Sequence, residues 1–126
     1  KLIEIREEIK NMNQIYNKIN VLLITSRFGE GCPNVLIEAI QRGIVCFSTD
    51  VGDARYLLDD DDFIIPSDNH LEAAIQIRRV LNSQDLNNKI KKIKKRLEKI
   101  LDMKLIVSKY ENLWSYSLSS NSRDNL

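Results

Sequence analysis

Short apolar runs, separated by loops and helical segments, set the pattern of the first half of the chain. Residues 2–5 alternate apolar and polar, as a short strand does. Residues 21–24 and 44–47 are continuous apolar runs of the kind found in parallel strands covered on both faces. Residues 63–65 form a third short run, which Pro66 closes. Strands that alternate with helices in this way predict an α/β fold, a Rossmann-like parallel sheet flanked by helices.

Apolar residues at helical spacing predict the segments between and after these strands. Asn11 is suited to cap a short helix that contains Tyr16. Pro33 suits the first position of a helix that ends at Gly43, with Val35, Leu36, Ala39 and Ile40 as its apolar stripe. A short helix follows at residues 54–58, and the predicted helical C-terminal end comprises residues 71–81, 85–101 and 104–116.

The small number of predicted strands indicates that the chain contains only part of a Rossmann-like domain. Residues 1–118 are predicted to be one partial Rossmann-like domain, and residues 119–126 a polar, disordered tail. A complete nucleotide-binding Rossmann half has more than three or four strands. The chain also enters a strand-like segment directly after Lys1, so we expect it to be a fragment of a larger protein.

Composition excludes several classes of function. The formal net charge of +1 gives the whole molecule no bias toward nucleic acid or anionic membrane. Cys32 and Cys46 form no CxxC pair and His70 is the single histidine, so we expect no metal site of the zinc type. Free thiols favour a reducing, cytoplasmic compartment. No apolar run is long enough for a bilayer-spanning helix.

Residues 26–39 combine a strand end, a glycine-containing loop and a helix N-terminus. In open α/β sheets ligands bind at the carboxyl ends of strands, and a helix N-terminus attracts phosphate. Gly29 and Gly31 allow a ligand to approach the backbone closely. Glu30 precedes the helix and Glu38 lies within it, roughly 7–8 Å along the axis from its start. Because carboxylates accept paired hydrogen bonds from vicinal hydroxyls, these glutamates suit a sugar and a ribose flanking a diphosphate.

The same segment resembles the retaining glycosyltransferases with the GT-B fold (family 4, also called group 1), whose signature is two glutamates separated by seven residues. Glu30 and Glu38 have this spacing. The flanking residues match as well: Ser26-Arg27, Pro33-Asn34-Val35, Glu38-Ala39, Gly43 and residues 49–54. The similarity covers at least residues 11–66, so the chain is expected to be part of the C-terminal, donor-binding domain of such an enzyme.

The resemblance implies a role for each matched residue. Glu30 would be the catalytic residue, in contact with the hydroxyls of the transferred sugar near the reacting carbon. Glu38 would bind the ribose of the nucleoside diphosphate. The sugar and the diphosphate would be bound by the loop and helix start, at Gly31, Cys32, Pro33, Asn34 and Val35. The family requires no metal and no cofactor beyond the nucleoside diphosphate sugar that serves as its donor substrate.

The resemblance also implies partners. The parent enzyme would move a hexose to a glycan or lipid-linked acceptor, in the synthesis of polysaccharide, lipopolysaccharide or another glycoconjugate. The acceptor would bind a separate N-terminal domain, and the basic residues for the diphosphate would lie before Lys1, so this fragment alone is expected to be inactive. The expected location is the cytoplasm or the inner face of the membrane. The alternatives are a GT-B-fold nucleotide-sugar epimerase and a noncatalytic nucleotide-sugar-binding or scaffolding domain.

Several of these residues also have simpler interpretations. Glu38 is placed to form an ion pair with Arg42 at i,i+4, and Glu30 is placed favourably for the dipole of the following helix. Cys32 is interpreted as small loop filler. The run Asp59-Asp60-Asp61-Asp62 is interpreted as a solvated turn rather than a metal site.

The lysine-rich helix at residues 85–101 has an apolar stripe, which is expected to pack on the domain. Peripheral contact with anionic lipid is the minority hypothesis for this helix. Nucleic-acid binding is not expected, because no aromatic stacking platform accompanies the lysines. Tyr110 and Trp114 are expected to anchor the last helix.

Overall fold

The structure is a computed structural model that describes residues 7, 9, 11–29 and 31–121, with side chains described up to Tyr116. Three sequence-based predictions lie outside the described residues. They are the strand at residues 2–5, the placement of Glu30, and the last part of the polar tail, residues 122–126.

Three parallel strands form the sheet in the order β1-β2-β3. The strands are β1 (Val21–Ile24), β2 (Val45–Thr49) and β3 (Ile64–Ile65). Val21 lies beside Val45, and Ser48 lies beside Ile64. The prediction of a Rossmann-like parallel sheet is confirmed. Three bounds differ, since β2 begins at Val45 and extends to Thr49, and Phe63 belongs to a 3-10 turn before β3.

Six α-helices surround and follow the sheet in the described part of the chain. They are α1 (Asn13–Tyr16), α2 (Asn34–Gln41), α3 (Ala54–Leu58), α4 (His70–Leu81), α5 (Leu86–Ile100) and α6 (Met103–Asn121). The N-cap of α1 is Met12 rather than the predicted Asn11, although the side chain of Asn11 accepts a hydrogen bond from the amide of Asn13, the first helical residue, at 3.1 Å. Helix α6 runs to Asn121, so the first residues of the predicted tail, 119–121, continue the helix.

The core lies between the sheet and helices α2, α3 and α5. Its fully buried large side chains are Leu36, Phe47, Leu58, Phe63 and Leu97. The rings of Phe47 and Phe63 pack with their centroids 5.5 Å apart. Burial of one such side chain stabilises the fold by about 1.5–3 kcal/mol.

Helix α5 packs against the domain through its apolar stripe, as the sequence predicted. Ile93 and Leu97 are buried on that stripe, and the helix contacts α2 and α3. The lysines of α5 therefore belong to a helix whose apolar side is already covered by the rest of the domain.

The acidic run at residues 59–62 connects helices rather than forming only a solvated turn. The side chain of Asp60 accepts a hydrogen bond from the Asp62 amide at 3.0 Å, and this bond caps the start of the 3-10 turn. Each of the four carboxylates has a cationic partner: the pairs are Asp59–Arg96 (3.1 Å), Asp60–Lys89 (2.9 Å), Asp61–Arg55, Asp62–Arg79 (2.7 Å) and Asp62–Lys89 (2.5 Å). The partners come from α3, α4 and α5, so this turn joins three helices at one end of the sheet.

Candidate functional site

Two hydrogen bonds join the loops at the carboxyl edge of the sheet. The Thr49 hydroxyl, at the end of β2, donates to the Ser26 carbonyl after β1 at 2.5 Å. The Asp53 amide donates to the Gly31 carbonyl at 2.8 Å. Thr49 is buried, so these contacts fix the glycine-containing loop against the loop between β2 and α3. The edge where an open α/β sheet binds its ligands is thus formed by two connected loops.

Helix α2 begins at this edge. Pro33 is buried and extended, with φ −72° and ψ 103°, and it is the N-cap rather than the predicted first helical residue. This correction follows from its ψ, because Asn34 is the first residue with helical geometry. The Pro33 carbonyl accepts from the Leu36 amide at 3.0 Å and the Ile37 amide at 3.4 Å. The amides before Leu36 have no intrahelical acceptor, and together with the helix dipole they favour an anion at this end.

The predicted binding residues form one open stretch at the start of α2. Gly31, Cys32, Asn34 and Val35 are exposed, whereas Pro33 is buried. A Cβ built on Gly31 would have no neighbour within 4 Å, so a ligand can approach this part of the backbone. Val35 is 38% exposed and is therefore not part of the buried stripe, in contrast to the prediction, because it lies in the first helical turn at the open end. Glu30 lies outside the described residues.

Glu38 is half-buried in the second turn of α2. Arg42 donates from one nitrogen to the main-chain carbonyl of Glu38 at 2.9 Å and from another to Asn13 Oδ1 at 2.5 Å. Among the described residues Arg42 thus contacts the main chain of Glu38, and the predicted ion pair between the two side chains is not formed. Burial first, and then the neighbouring Glu38 carboxylate, raises the pKa of the Tyr16 phenol. The Arg42 guanidinium also lies over the Tyr16 ring, at 4.6 Å from its centroid.

A polar cavity of about 310 Å³ lies at the carboxyl ends of the strands. Its polar lining residues are Arg27, Thr49, Asp50, Arg55, Ser67 and Asp68. Arg55 forms an ion pair with Asp50 at 2.9 Å. Sequence analysis assigned no role to Asp50, Arg55, Ser67 or Asp68. The signal that identifies them is their position, since each follows a strand that ends at the same edge.

The family model for glycosyl transferases group 1 matches residues 5–97. This chain belongs to that family. The match includes all three strands, the glycine-containing loop, α2 with Glu38, and most of α5. No curated protein and no solved structure matches the chain.

The two cysteines of this group 1 glycosyltransferase chain lie in opposite environments. Cys32 is exposed beside the start of α2, and Cys46 is buried in β2. Burial raises the pKa of the Cys46 thiol to about 12, and this thiol donates to the Ile44 carbonyl at 3.2 Å. Cys46 is therefore a core residue, and Cys32 is the thiol that a ligand at the loop would meet.

Within residues 7, 9, 11–29 and 31–121, no group of three or more His, Cys, Asp or Glu residues is arranged to hold a metal ion. Over the same residues, none of the helices combines the length and apolar character needed to cross a membrane.

Proposed function

We propose that this chain binds a nucleoside diphosphate sugar at the carboxyl ends of β1 and β2. It would be the donor-binding part of a retaining glycosyltransferase with the GT-B fold. The observation that supports this proposal is the placement of Glu38, which is half-buried in the second turn of a helix whose N-terminus opens at that edge. The resemblance of residues 26–39 to the family signature implies a ribose-binding role for the same glutamate, which we propose here.

Each part of the donor has a matching part of the site in this proposal. The amides at the start of α2 and the helix dipole favour the diphosphate. The exposed stretch from Gly31 to Val35 lies against the diphosphate and the sugar. The Glu38 carboxylate accepts hydrogen bonds from the ribose hydroxyls. Glu30 is proposed to contact the hydroxyls of the transferred sugar next to the reacting carbon.

The proposed reaction transfers a hexose with retention of anomeric configuration to a glycan or lipid-linked acceptor. Its rate would depend on alignment of donor and acceptor and on stabilisation of the departing diphosphate and the oxocarbenium-like charge. We propose that the acceptor binds a separate domain outside these 126 residues. The enzyme would act in polysaccharide or glycoconjugate synthesis, in the cytoplasm or at the inner face of the membrane.

Calorimetric titration with UDP, GDP and ADP tests the role of Glu38. The chain is expected to bind at least one of them, and Glu38→Ala is expected to weaken that binding about tenfold to hundredfold, as loss of a hydrogen bond to a charged group does. Glu111→Ala is the matched control, because Glu111 lies exposed on α6 and has no part in the proposed site. Equal affinities for the wild type and Glu38→Ala would refute the assignment of Glu38, and no binding of any of the three nucleotides would refute donor binding by this chain.

A further inference from the structure

The hydroxyl of Tyr16 is a buried polar group that the proposed donor site does not use. Tyr16 is the last residue of α1 and is only 3% exposed. Within the described residues its hydroxyl has no hydrogen-bond partner. An unsatisfied buried polar group destabilises a fold, so its retention calls for a physical reason.

The Tyr16 ring packs beside the turn of α2 that carries Glu38, since the Arg42 guanidinium over the ring donates to the Glu38 carbonyl. Burial of Tyr16 and then the Glu38 carboxylate raise the pKa of the Tyr16 phenol, and the hydroxyl has no hydrogen-bond partner among the described residues. Since the pKa of the phenol is raised above 10.0, the hydroxyl stays protonated at neutral pH. A protonated phenol beside a carboxylate can act toward it only as a donor.

Arg42 holds the Tyr16 ring in place against α2. Its guanidinium lies over the ring at 4.6 Å from the centroid. The same guanidinium is bonded to the Glu38 carbonyl and to Asn13 Oδ1, so it links α1 to α2. The Tyr16 ring is therefore held beside the part of the α2 backbone that carries Glu38.

We infer that Tyr16 is a positioning residue for Glu38, and this inference rests on the proposed function. When a nucleoside diphosphate binds, the Tyr16 hydroxyl donates to one carboxylate oxygen of Glu38 while the other oxygen accepts from the ribose. A carboxylate anchored at one oxygen has less rotamer freedom left to lose on binding. The anchor thereby improves recognition of a ribose over a deoxyribose.

Tyr16→Phe tests the inference because it keeps the ring and its contact with Arg42 and removes only the hydroxyl. For the tightest binder among UDP, GDP and ADP, we expect the affinity to fall about threefold to tenfold, as the loss of one net hydrogen bond predicts. For the 2′-deoxy form of the same nucleotide we expect a smaller loss. Tyr110→Phe is the matched control, since Tyr110 is 71% exposed on α6.

A merely structural role for Tyr16 predicts different results. In the Glu38→Ala background, Tyr16→Phe should cause no further loss of affinity, because the group it positions is absent. A loss of equal size in both backgrounds, or an unchanged affinity of Tyr16→Phe in the wild-type background, would overturn the inference. If Glu38→Ala weakens binding and Tyr16→Phe does not, only the inference fails. If Glu38→Ala has no effect, the proposed ribose contact itself fails.

The inferred proximity of the Glu38 carboxylate to the Tyr16 hydroxyl is also testable without a nucleotide. NMR titration of ¹³C-labelled tyrosine should show a lower pKa for Tyr16 in Glu38→Gln than in the wild type, because the substitution removes the neighbouring negative charge. Glu111→Gln is the matched control variant, because Glu111 lies exposed on α6. An unchanged Tyr16 pKa would show that the carboxylate does not face the hydroxyl and would overturn the inference.

Discussion

Glu38 owes its place to the residues that start α2. Pro33 remains extended and buried, Asn34 is the first helical residue, and Glu38 follows in the second turn. The sequence predicts this placement because proline and helical spacing are local signals. The link from Tyr16 through Arg42 to Glu38 was not predictable in the same way. It joins residues on two helices and depends on how α1 packs against α2, which no local pattern encodes.

The two thiols provide a prediction at the scale of single residues. Because Cys32 is exposed and the buried Cys46 has a pKa of about 12, we expect one thiol per folded chain to react with iodoacetamide at pH 8. Mass spectrometry should locate the label on Cys32, and Cys32→Ser should abolish the labelling. Unfolding in urea should expose the second thiol. Rapid labelling of Cys46 in the folded chain would contradict the burial of β2.

At the scale of elements, the strands and helices follow from local sequence, but the connections between them do not. The bounds of β1 and α3 match their predictions, since continuous apolar runs and helical spacing are short-range signals. The acidic run at residues 59–62 was predicted only to be a turn. Its ion pairs with α4 and α5 were missed, because the basic partners lie 17 to 37 residues away along the chain, as in Asp62–Arg79 and Asp59–Arg96.

Lys89 provides the prediction at this scale, because it joins α5 to both Asp60 and Asp62. All three side chains are partly buried, so Lys89→Met should lower the free energy of unfolding by about 1–2 kcal/mol, between the ranges for exposed and buried pairs. Lys95→Met is the matched control, since Lys95 is exposed on the same helix. Urea unfolding at pH 7 measures the stability of both variants. Equal stabilities of Lys89→Met and the wild type would contradict a stabilising role for the ion pairs of Lys89.

The ion pair between Lys89 and Asp60 also predicts how the stability difference between the wild type and Lys89→Met depends on pH. Partial burial opposes ionisation of Asp60, but hydrogen bonds from Lys89 and the Asp62 amide outweigh it and lower the pKa of Asp60 below 3.8. The stabilisation is therefore complete above pH 3.8 and is lost as the pH falls through the lower pKa of the folded state. The difference between wild type and Lys89→Met should shrink in that acidic range.

At the scale of the whole molecule, α6 is the part that sequence analysis described least well. Tyr110 and Trp114 were expected to anchor it, but they are 71% and 73% exposed. The prediction was wrong because aromatic residues at helical spacing identify an apolar face without identifying a surface that covers it. The helices that build the domain, α2 and α5, instead bury small sets of aliphatic residues, such as Leu36 and Leu97.

The exposure of α6 predicts that the domain does not depend on it. A chain that ends at Asp102 should lose less than about 1 kcal/mol of stability, as for changes confined to surface residues. A chain that ends at Asp85 should lose cooperative unfolding, because it lacks the buried Ile93 and Leu97 and the pairs of Lys89. Thermal unfolding followed by circular dichroism distinguishes the two. A large loss of stability in the longer truncation would show that α6 packs on the domain.

The central claim is that a nucleoside diphosphate binds at the start of α2. The most direct measurement is a ¹⁵N–¹H NMR titration of the whole chain with UDP, GDP and ADP. We expect the largest shifts at the amides of Gly31, Asn34, Val35 and Glu38, with small shifts along α6. The absence of shifts with all three nucleotides, or shifts confined to residues away from the carboxyl edge of the sheet, would contradict the account.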